Sequence, residues 1–190
     1  KDGFRSFFGA ESCSQVNQVN VCSVFPRPMS SARIPPSFSR VRLHRKLKPS
    51  FWYGRRSALM PFGNVVVLLE IKGADLRAAL ENGVSQVGDG AGRFPQVAGL
   101  RFSWDAKAPA GARVRDVTVA GQPLDPDRTY RLATNDYLYG GGDGYAALRP
   151  AHAVIDASAG RLLASTVINY ITALGGRIEL AVDGRITRLD

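Results

Sequence analysis

The sequence predicts an α+β domain, with a mixed sheet flanked by helices, preceded by a leader with little regular structure. After residue 58, strand and helix patterns follow one another in the order β-α-β-β-β-α-β-β. The net charge of +9 lies in residues 1–58, which hold eleven Lys or Arg and two acidic residues, whereas residues 59–190 hold fourteen of each. Residues 1–58 are also rich in Ser, Arg and Pro, a composition that buries little apolar surface. We therefore predict a basic leader over 1–58 and one domain over 59–190.

The domain begins with a strand and a helix. The apolar, β-branched run from Asn64 to Lys72 predicts a strand that is buried on both faces. Gly73 ends this run, and Leu and Val residues at helical spacing then predict a helix over 74–85.

The middle of the domain predicts three strands. Apolar and polar residues alternate over 100–104, as in a half-buried strand. The apolar residues of 114–119 change phase, which predicts a β-bulge near Arg115 and Asp116. A third strand over 130–134 leads into a glycine-rich loop.

The end of the domain predicts a helix and a hairpin. The helix covers 160–174 and ends at Gly175 and Gly176. One apolar face of this helix carries Leu163, Val167, Tyr170 or Ile171, and Leu174. Asp183-Gly184, a preferred type I′ turn, then predicts a hairpin between the apolar residues of 178–182 and 186–189.

Phe62 stands on a short loop that can present an aromatic face. Pro61 restricts the backbone before it, and Gly63 allows a sharp turn after it. Stacking of a base on such a ring is worth about 1–3 kcal/mol, and the amide of Asn64 has both a donor and an acceptor for a base edge. The alternative is a Phe packed into the core where the strand begins.

The second candidate loop is Gly140–Gly144, called the glycine loop below. It lacks the residue order of phosphate-binding and dinucleotide-binding glycine motifs. Its glycines allow the backbone to approach a ligand closely, and Asp143 among them can accept hydrogen bonds from the vicinal hydroxyls of a sugar. Tyr137 just before it can supply a second ring. The alternative is a tight turn in which Asp143 binds the local backbone.

Five motifs occur in a fixed order between residues 59 and 175. They are Pro61–Asn64, Gly73–Leu76, Phe94–Gly99, Tyr130–Thr134 and Gly141–Tyr145. The series resembles the C-terminal substrate-binding domain of 5'-nucleotidases and of the related UDP-sugar hydrolases and 2',3'-cyclic-nucleotide phosphodiesterases. The resemblance implies a nucleotide- or nucleoside-recognition domain of a phosphoester hydrolase of nucleotide catabolism, in the periplasm or outside the cell.

The resemblance also implies roles for five residues. Phe62 and Tyr137 correspond to the two aromatics that sandwich the base. Asn64 corresponds to the contact with the base edge, and Asp143 to the ligand of the ribose. Gly99 lies where the family brings its backbone close to the base.

Family enzymes place two divalent metals in a separate metallophosphoesterase domain, which this resemblance implies as a partner. The metal motifs of that domain do not occur in this sequence, and its two histidines, His44 and His152, could not build such a centre. We therefore expect no catalytic residue, cofactor or metal site in this chain, and no hydrolysis by the chain alone. No signal peptide or membrane span is visible in the sequence.

The leader departs from the family pattern. The family has an Asn-x-Gly-Gly-Ile-Arg segment about twenty residues before Pro-Phe-Gly-Asn, whose Arg grips the phosphate, and Ser39–Arg45 stands there instead. Arg42 or Arg45 could donate to a phosphate in its place, or the leader is sequence from outside the family, for example after a frame shift. A competing function is binding of nucleic acid or an anionic surface by Arg40–Lys48, with Phe51–Tyr53 stacking on bases. A solvated tail is the simpler interpretation, so nucleic acid is not the expected partner.

Overall fold

A computed structural model describes residues 21–26, 62–178 and 181–189 of the chain. These residues form an α+β fold, as predicted, although the strands build two sheets instead of one. The basic segment Arg40–Lys48 and the neighbouring Ser39–Arg45 and Phe51–Tyr53 lie outside the described residues, as does Pro61.

The elements are numbered in chain order. The strands are β1 Val21–Pro26, β2 Val65–Lys72, β3 Gln96–Ala98, β4 Leu100–Asp105, β5 Val114–Val119, β6 Gln122–Pro123, β7 Thr129–Asn135, β8 His152–Ile155, β9 Arg161–Leu162 and β10 Ile186–Leu189. The helices are α1 Gly73–Val84, α2 Asp136–Tyr139 and α3 Leu163–Ala173. Single 3₁₀ turns cover Val87–Asp89, Gly142–Gly144 and Ala146–Leu148.

The first sheet has the strand order β3-β1-β7-β2-β8, and β9 also pairs with β2. β1 runs parallel to β3 and antiparallel to β7, and β2 runs antiparallel to β7, β8 and β9. The sheet is therefore mixed. Short strands β3, β8 and β9 were not predicted because each has too few residues to show a period.

One part of the leader has regular structure. Val21–Pro26 forms β1, which lies between β3 and β7 in the first sheet. The sequence did not indicate this strand, because its pairing with a strand on each side is non-local. The division of the chain at residue 58 stays a prediction.

β2 and β7 form the long antiparallel pair of the first sheet, in register from Val66 opposite Asn135 to Lys72 opposite Thr129. The start of β2 and the end of β7 therefore lie at the same end of the sheet. Val67, Leu69 and Ile71 are buried, but the residues between them are only half-buried. The prediction that β2 is fully buried on both faces was thus wrong for one face.

The second sheet has the order β10-β4-β5-β6. The predicted bulge is confirmed, because the register of β4 and β5 shifts between Arg101 and Ser103. Asp116 stands opposite this shift with φ of 46°, and its carboxylate accepts a 2.6 Å hydrogen bond from the Ser103 hydroxyl. The change of phase in the apolar pattern thus marks a real irregularity.

α1 connects the two sheets. The Glu81 carboxylate, only 9% exposed, accepts hydrogen bonds from the backbone N–H groups of Arg113 at 3.0 Å and Val114 at 2.9 Å in the β5 region. The Arg77 guanidinium donates to the carbonyl of Val114 at 2.7 Å. The apolar face of α1 joins the core through Leu76, Ala79, Leu80 and Val84. Since α1 also continues directly from β2, it holds the second sheet against the first.

α3 ends where the sequence predicts. The N–H of Gly176 donates to the carbonyl of Ile171, and the N–H of Gly175 donates to the carbonyl of Thr172. Both glycines have positive φ, so these two bonds form a Schellman motif. The predicted apolar face is less buried than expected. Leu163 is buried, whereas Leu174 is 48% exposed, because α3 packs mainly through its first turn.

The predicted C-terminal hairpin was wrong. Ile186–Leu189 pairs in parallel with β4, and residues 181–183 are not in a strand. Residues 179–180 lie outside the described part of the chain. Asp183 and Gly184 still form a turn, in which the Asp183 carboxylate accepts hydrogen bonds from the backbone and guanidinium of Arg185.

Contacts distant in sequence direct this C-terminal segment to β4. Arg185 Nη1 donates to the carbonyl of Val97 at 2.9 Å, and Arg101 Nη1 donates to the carbonyl of Asp183 at 2.9 Å. The local turn signal was correct, but the strand partner is set by these two guanidinium groups.

No helix within the described ranges is long and apolar enough to cross a membrane.

Candidate functional site

The two candidate loops meet at one end of the first sheet. The Phe62 loop leads into β2, and the glycine loop follows β7 through α2. The register places the start of β2 beside the end of β7, with Val66 opposite Asn135. The N–H of Val65 also donates to the Asp136 carboxylate at 3.0 Å. The chain segments that carry Phe62 and Tyr137 are therefore tied together directly.

Tyr137 has a fixed position despite its exposure. Its side chain is 40% exposed, so the ring is accessible to a ligand. The ring lies against Gly142, because a Cβ on Gly142 would collide with ring atoms. The phenol hydroxyl donates to Asp143 Oδ1 at 3.0 Å. Gly142 therefore supports one part of the ring, and Asp143 holds its polar end.

Asp143 is held at two points. Its backbone has φ of 51°, the left-handed region that non-glycine residues seldom adopt. Asn82 Nδ2 on α1 donates to its carbonyl at 3.1 Å, and Arg93 Nη1 contacts Asn82 Oδ1 at 3.4 Å. Oδ2 of Asp143 is buried and has no hydrogen-bond partner within the residues that the structure describes. The Asp143 carboxylate accepts a hydrogen bond from the phenol of Tyr137 and not from the neighbouring backbone. The glycine loop is therefore not the tight turn named as the alternative in the sequence analysis.

The glycine loop is anchored at both ends. Beyond it, Tyr145 is 1% exposed and its hydroxyl donates to the carbonyl of Arg93 at 2.7 Å. At its start, Arg149 Nε donates to the carbonyl of Gly140 at 3.0 Å. Gly144 has φ of 80°, which favours glycine, and a Cβ there would lie 2.8 Å from Asn82 Oδ1 on α1. The loop is therefore a packed structure and not a loose connection.

Phe62 does not belong to the core. Its side chain is 52% exposed, which excludes the alternative of a Phe packed at the start of β2. Asn64 is half-buried, and its carbonyl accepts a hydrogen bond from the N–H of Leu163 at 2.9 Å. This bond fixes the backbone of the loop to the start of α3 and leaves the amide side chain of Asn64 for other contacts.

Gly99 stands apart from the other four candidate residues. It lies between β3 and β4 with φ of 75°, and its carbonyl accepts the N–H of Ala120 at 3.1 Å. Within the described residues, no hydrogen bond joins Gly99 to Phe62, Asn64, Tyr137 or Asp143. Its part in binding stays a prediction.

Sequence reasoning missed the residues that support the site. Asp136 ties the loops, and Asn82 and Arg93 hold the glycine loop from behind. Asn82 lies 61 residues before Asp143, so no local pattern connects them. The hydrogen bond of the Tyr137 hydroxyl was not predicted either, although the hydroxyl is visible in the sequence.

The described residues contain no group of three or more His, Cys, Asp or Glu side chains that could hold a metal ion. The candidate residues of the site supply two aromatic rings, the Asp143 carboxylate, the Asn64 amide and backbone groups.

Comparison with known proteins gives a consistent result. The family model for the C-terminal domain of 5'-nucleotidase matches residues 53–150. The chain is 34% identical over 133 residues to the trifunctional nucleotide phosphoesterase of Bacillus subtilis, covering 67% of this chain and 9% of that protein. It is 36% identical over 138 residues to a snake venom 5'-nucleotidase of Gloydius brevicauda, covering 68% of this chain and 23% of that protein.

A solved structure is similar as well. The crystal structure of a 5'-nucleotidase precursor from Thermus thermophilus has a TM-score of 0.67 and 38% identity, covering 72% of this chain and 27% of that one. The chain thus spans about a quarter or less of the length of these relatives. Motifs, fold and comparisons agree, and the chain belongs to the family of 5'-nucleotidase C-terminal domains.

Proposed function

We propose that this chain is the nucleotide-recognition domain of a 5'-nucleotidase-type phosphoester hydrolase. The observation that carries this proposal is the exposed ring of Tyr137, fixed beside the carboxylate of Asp143. A flat ring suits a nucleobase, and an adjacent carboxylate suits sugar hydroxyls. Their spacing is set before any ligand arrives, which lowers the entropy cost of binding.

In this proposal the base lies between the rings of Phe62 and Tyr137. Both are exposed, and they project from neighbouring segments at one end of the first sheet. The Asn64 amide contacts the base edge, and the Asp143 carboxylate accepts hydrogen bonds from the ribose. Gly99 is a further candidate for a backbone contact with the base.

In this proposal, hydrolysis of the phosphate ester takes place in a separate domain. Two divalent metals in a metallophosphoesterase domain would activate water and stabilise the phosphoryl oxygens. This chain would bind and orient the nucleoside part of the substrate for that domain, and we expect the 190-residue chain to bind without turnover. A periplasmic or extracellular location is consistent with relatives named as a precursor and as a venom enzyme.

Calorimetric titration of the full chain with adenosine tests the proposal. We expect saturable binding that changes little with salt, because stacking and hydrogen bonds to a neutral ligand release few counterions. Phe62→Ala and Tyr137→Ala should each weaken binding about tenfold or more, the effect of losing one stacking ring. Leu174→Ala is the matched control, because Leu174 is 48% exposed on another element.

Two results would overturn the proposal. One is the absence of adenosine binding by the folded wild-type chain. The other is an equal loss of affinity in Leu174→Ala and in the two ring variants, because the ring variants would then act only through general stability.

A further inference from the structure

We propose that the Tyr137 hydroxyl positions the Asp143 carboxylate for the sugar, so that one side chain couples base stacking to sugar recognition. This inference rests on the proposed function and adds a residue role to it. A Phe at position 137 would provide the same stacking surface. The hydroxyl adds one contact, the 3.0 Å hydrogen bond to Asp143 Oδ1.

The backbone of Asp143 makes such a contact necessary. At φ of 51° it adopts a conformation that is unfavourable for a residue with a Cβ, and surrounding contacts must maintain it. Asn82 holds the main chain through the Asp143 carbonyl, and Tyr137 holds the side chain through Oδ1. Without the phenol, the carboxylate would be free to rotate about its side-chain bonds, and the Asp143 backbone would keep the Asn82 contact alone of these two, so the glycine loop would open more often.

The hydrogen bond from Tyr137 leaves the Asp143 carboxylate able to accept further hydrogen bonds. An ionised carboxylate offers about four acceptor positions, and Tyr137 fills one of them. Oδ2 has no partner in the described part of the chain, so the carboxylate keeps acceptor positions that Tyr137 does not fill. Sugar hydroxyls are donors that can fill such positions once the side chain turns them toward the ligand.

Two arginines near the glycine loop bind other groups, not the Asp143 carboxylate, in the part of the chain that the structure describes. The guanidinium of Arg149 donates to the carbonyl of Gly140, and that of Arg93 contacts Asn82. Among the described residues, neither forms an ion pair with Asp143. A neutral phenol therefore orients Asp143 without competing for its charge, which an arginine in the same place would do.

The ring and the carboxylate are also linked mechanically. The Tyr137 ring rests on Gly142, the residue directly before Asp143. A base that stacks on this ring therefore contacts a side chain that rests on the same short segment as Asp143, the residue proposed to bind the sugar. Base and sugar contacts are therefore expected to be energetically coupled through Tyr137.

Tyr137→Phe in the full chain separates the hydroxyl from the ring. We expect adenosine affinity to fall about tenfold or more, the effect of losing a hydrogen bond to a charged group. Affinity for adenine, which has no sugar, should stay within about twofold because the ring remains. Tyr139→Phe is the matched control, since it removes another tyrosine hydroxyl, which donates to the carbonyl of Ala151 at 3.3 Å. It should leave both affinities unchanged.

A double-mutant cycle tests the coupling. On an Asp143→Gly background, which tolerates the positive φ of this position, Tyr137→Phe should cause little further loss of adenosine affinity, because the acceptor of the hydroxyl is gone. Equal losses for adenine and adenosine in Tyr137→Phe, or additive effects in the cycle, would overturn the positioning role.

Hydrogen exchange supplies a readout without ligand. Exchange of the amides of Gly140–Gly144 should be about tenfold faster in Tyr137→Phe than in the wild type or in Tyr139→Phe. Unchanged exchange would also overturn the inference. A folded wild-type chain that binds neither ligand would overturn the proposed function, whereas wild-type binding that Tyr137→Phe leaves intact would overturn this inference alone.

Discussion

The backbone N–H of Val65 donates a 3.0 Å hydrogen bond to the carboxylate of Asp136, 71 residues later in the chain. Val65 opens β2 three residues after Phe62, and Asp136 opens α2 one residue before Tyr137. One carboxylate thus links the backbones that present both exposed rings. The geometry of the site depends on this bond as well as on the sheet.

Asp136→Ala should loosen this link. We expect the free energy of unfolding to fall by about 1–2 kcal/mol, since a partly buried hydrogen bond to a charged group is lost. Urea denaturation, monitored by circular dichroism, measures this free energy of unfolding. Asp127→Ala, at an exposed turn, is the control and should change stability by less than about 0.5 kcal/mol. Equal destabilisation by the two variants would show that the Val65 bond contributes nothing.

Gly142→Ala should disturb the Tyr137 ring while leaving the fold intact. The added methyl group would occupy space held by the ring, so the ring must move away from the glycine loop. We expect adenosine affinity to fall about tenfold, because stacking depends on the position of the ring. Titration calorimetry checks this. Gly88→Ala is the matched control, since a Cβ there meets nothing within 4 Å. Normal binding by Gly142→Ala would mean that the ring is not a stacking surface.

Asp183 makes a pH-dependent contribution to stability. Hydrogen bonds from Arg185, opposed by partial burial, lower the pKa of this carboxyl below its ordinary value of 3.8. A lowered pKa in the folded state gives stability that is complete above about pH 3.8 and is lost as the pH falls through the folded-state pKa.

The Asp183→Asn variant isolates this contribution. The difference in free energy of unfolding between wild type and variant should be less than about 1 kcal/mol, because the pair is partly exposed. It should shrink between about pH 6 and about pH 3, as measured by urea denaturation at each pH. A difference that grows on acidification would contradict the assigned direction of the pKa.

The sequence predicted best where a local rule determines the structure. The phase change before Val117 located the bulge that Asp116 and Ser103 form. Gly175 and Gly176 marked the end of α3 because the Schellman motif needs residues that tolerate positive φ. Phe62 and Tyr137 are both exposed, and their roles toward a ligand stay predictions.

Prediction failed where the partner is remote in sequence. The turn at Asp183 was recognised, but two remote contacts have no local signal: the hydrogen bond from the Arg185 guanidinium to Val97, 88 residues away, and the parallel pairing of Ile186–Leu189 with β4. The position of Asn82 behind the glycine loop depends likewise on how α1 packs. The hydroxyl of Tyr137 is a different case, because its partner Asp143 is brought to it by the fold of the glycine loop.

The position of β1 has a practical consequence for shortened versions of this protein. A truncation that starts at residue 59 would remove Val21–Pro26 from between β3 and β7. Both strands would then present open hydrogen-bonding edges to solvent, and such edges recruit strands from other molecules. Self-association of the shortened chain would therefore imitate an oligomeric protein.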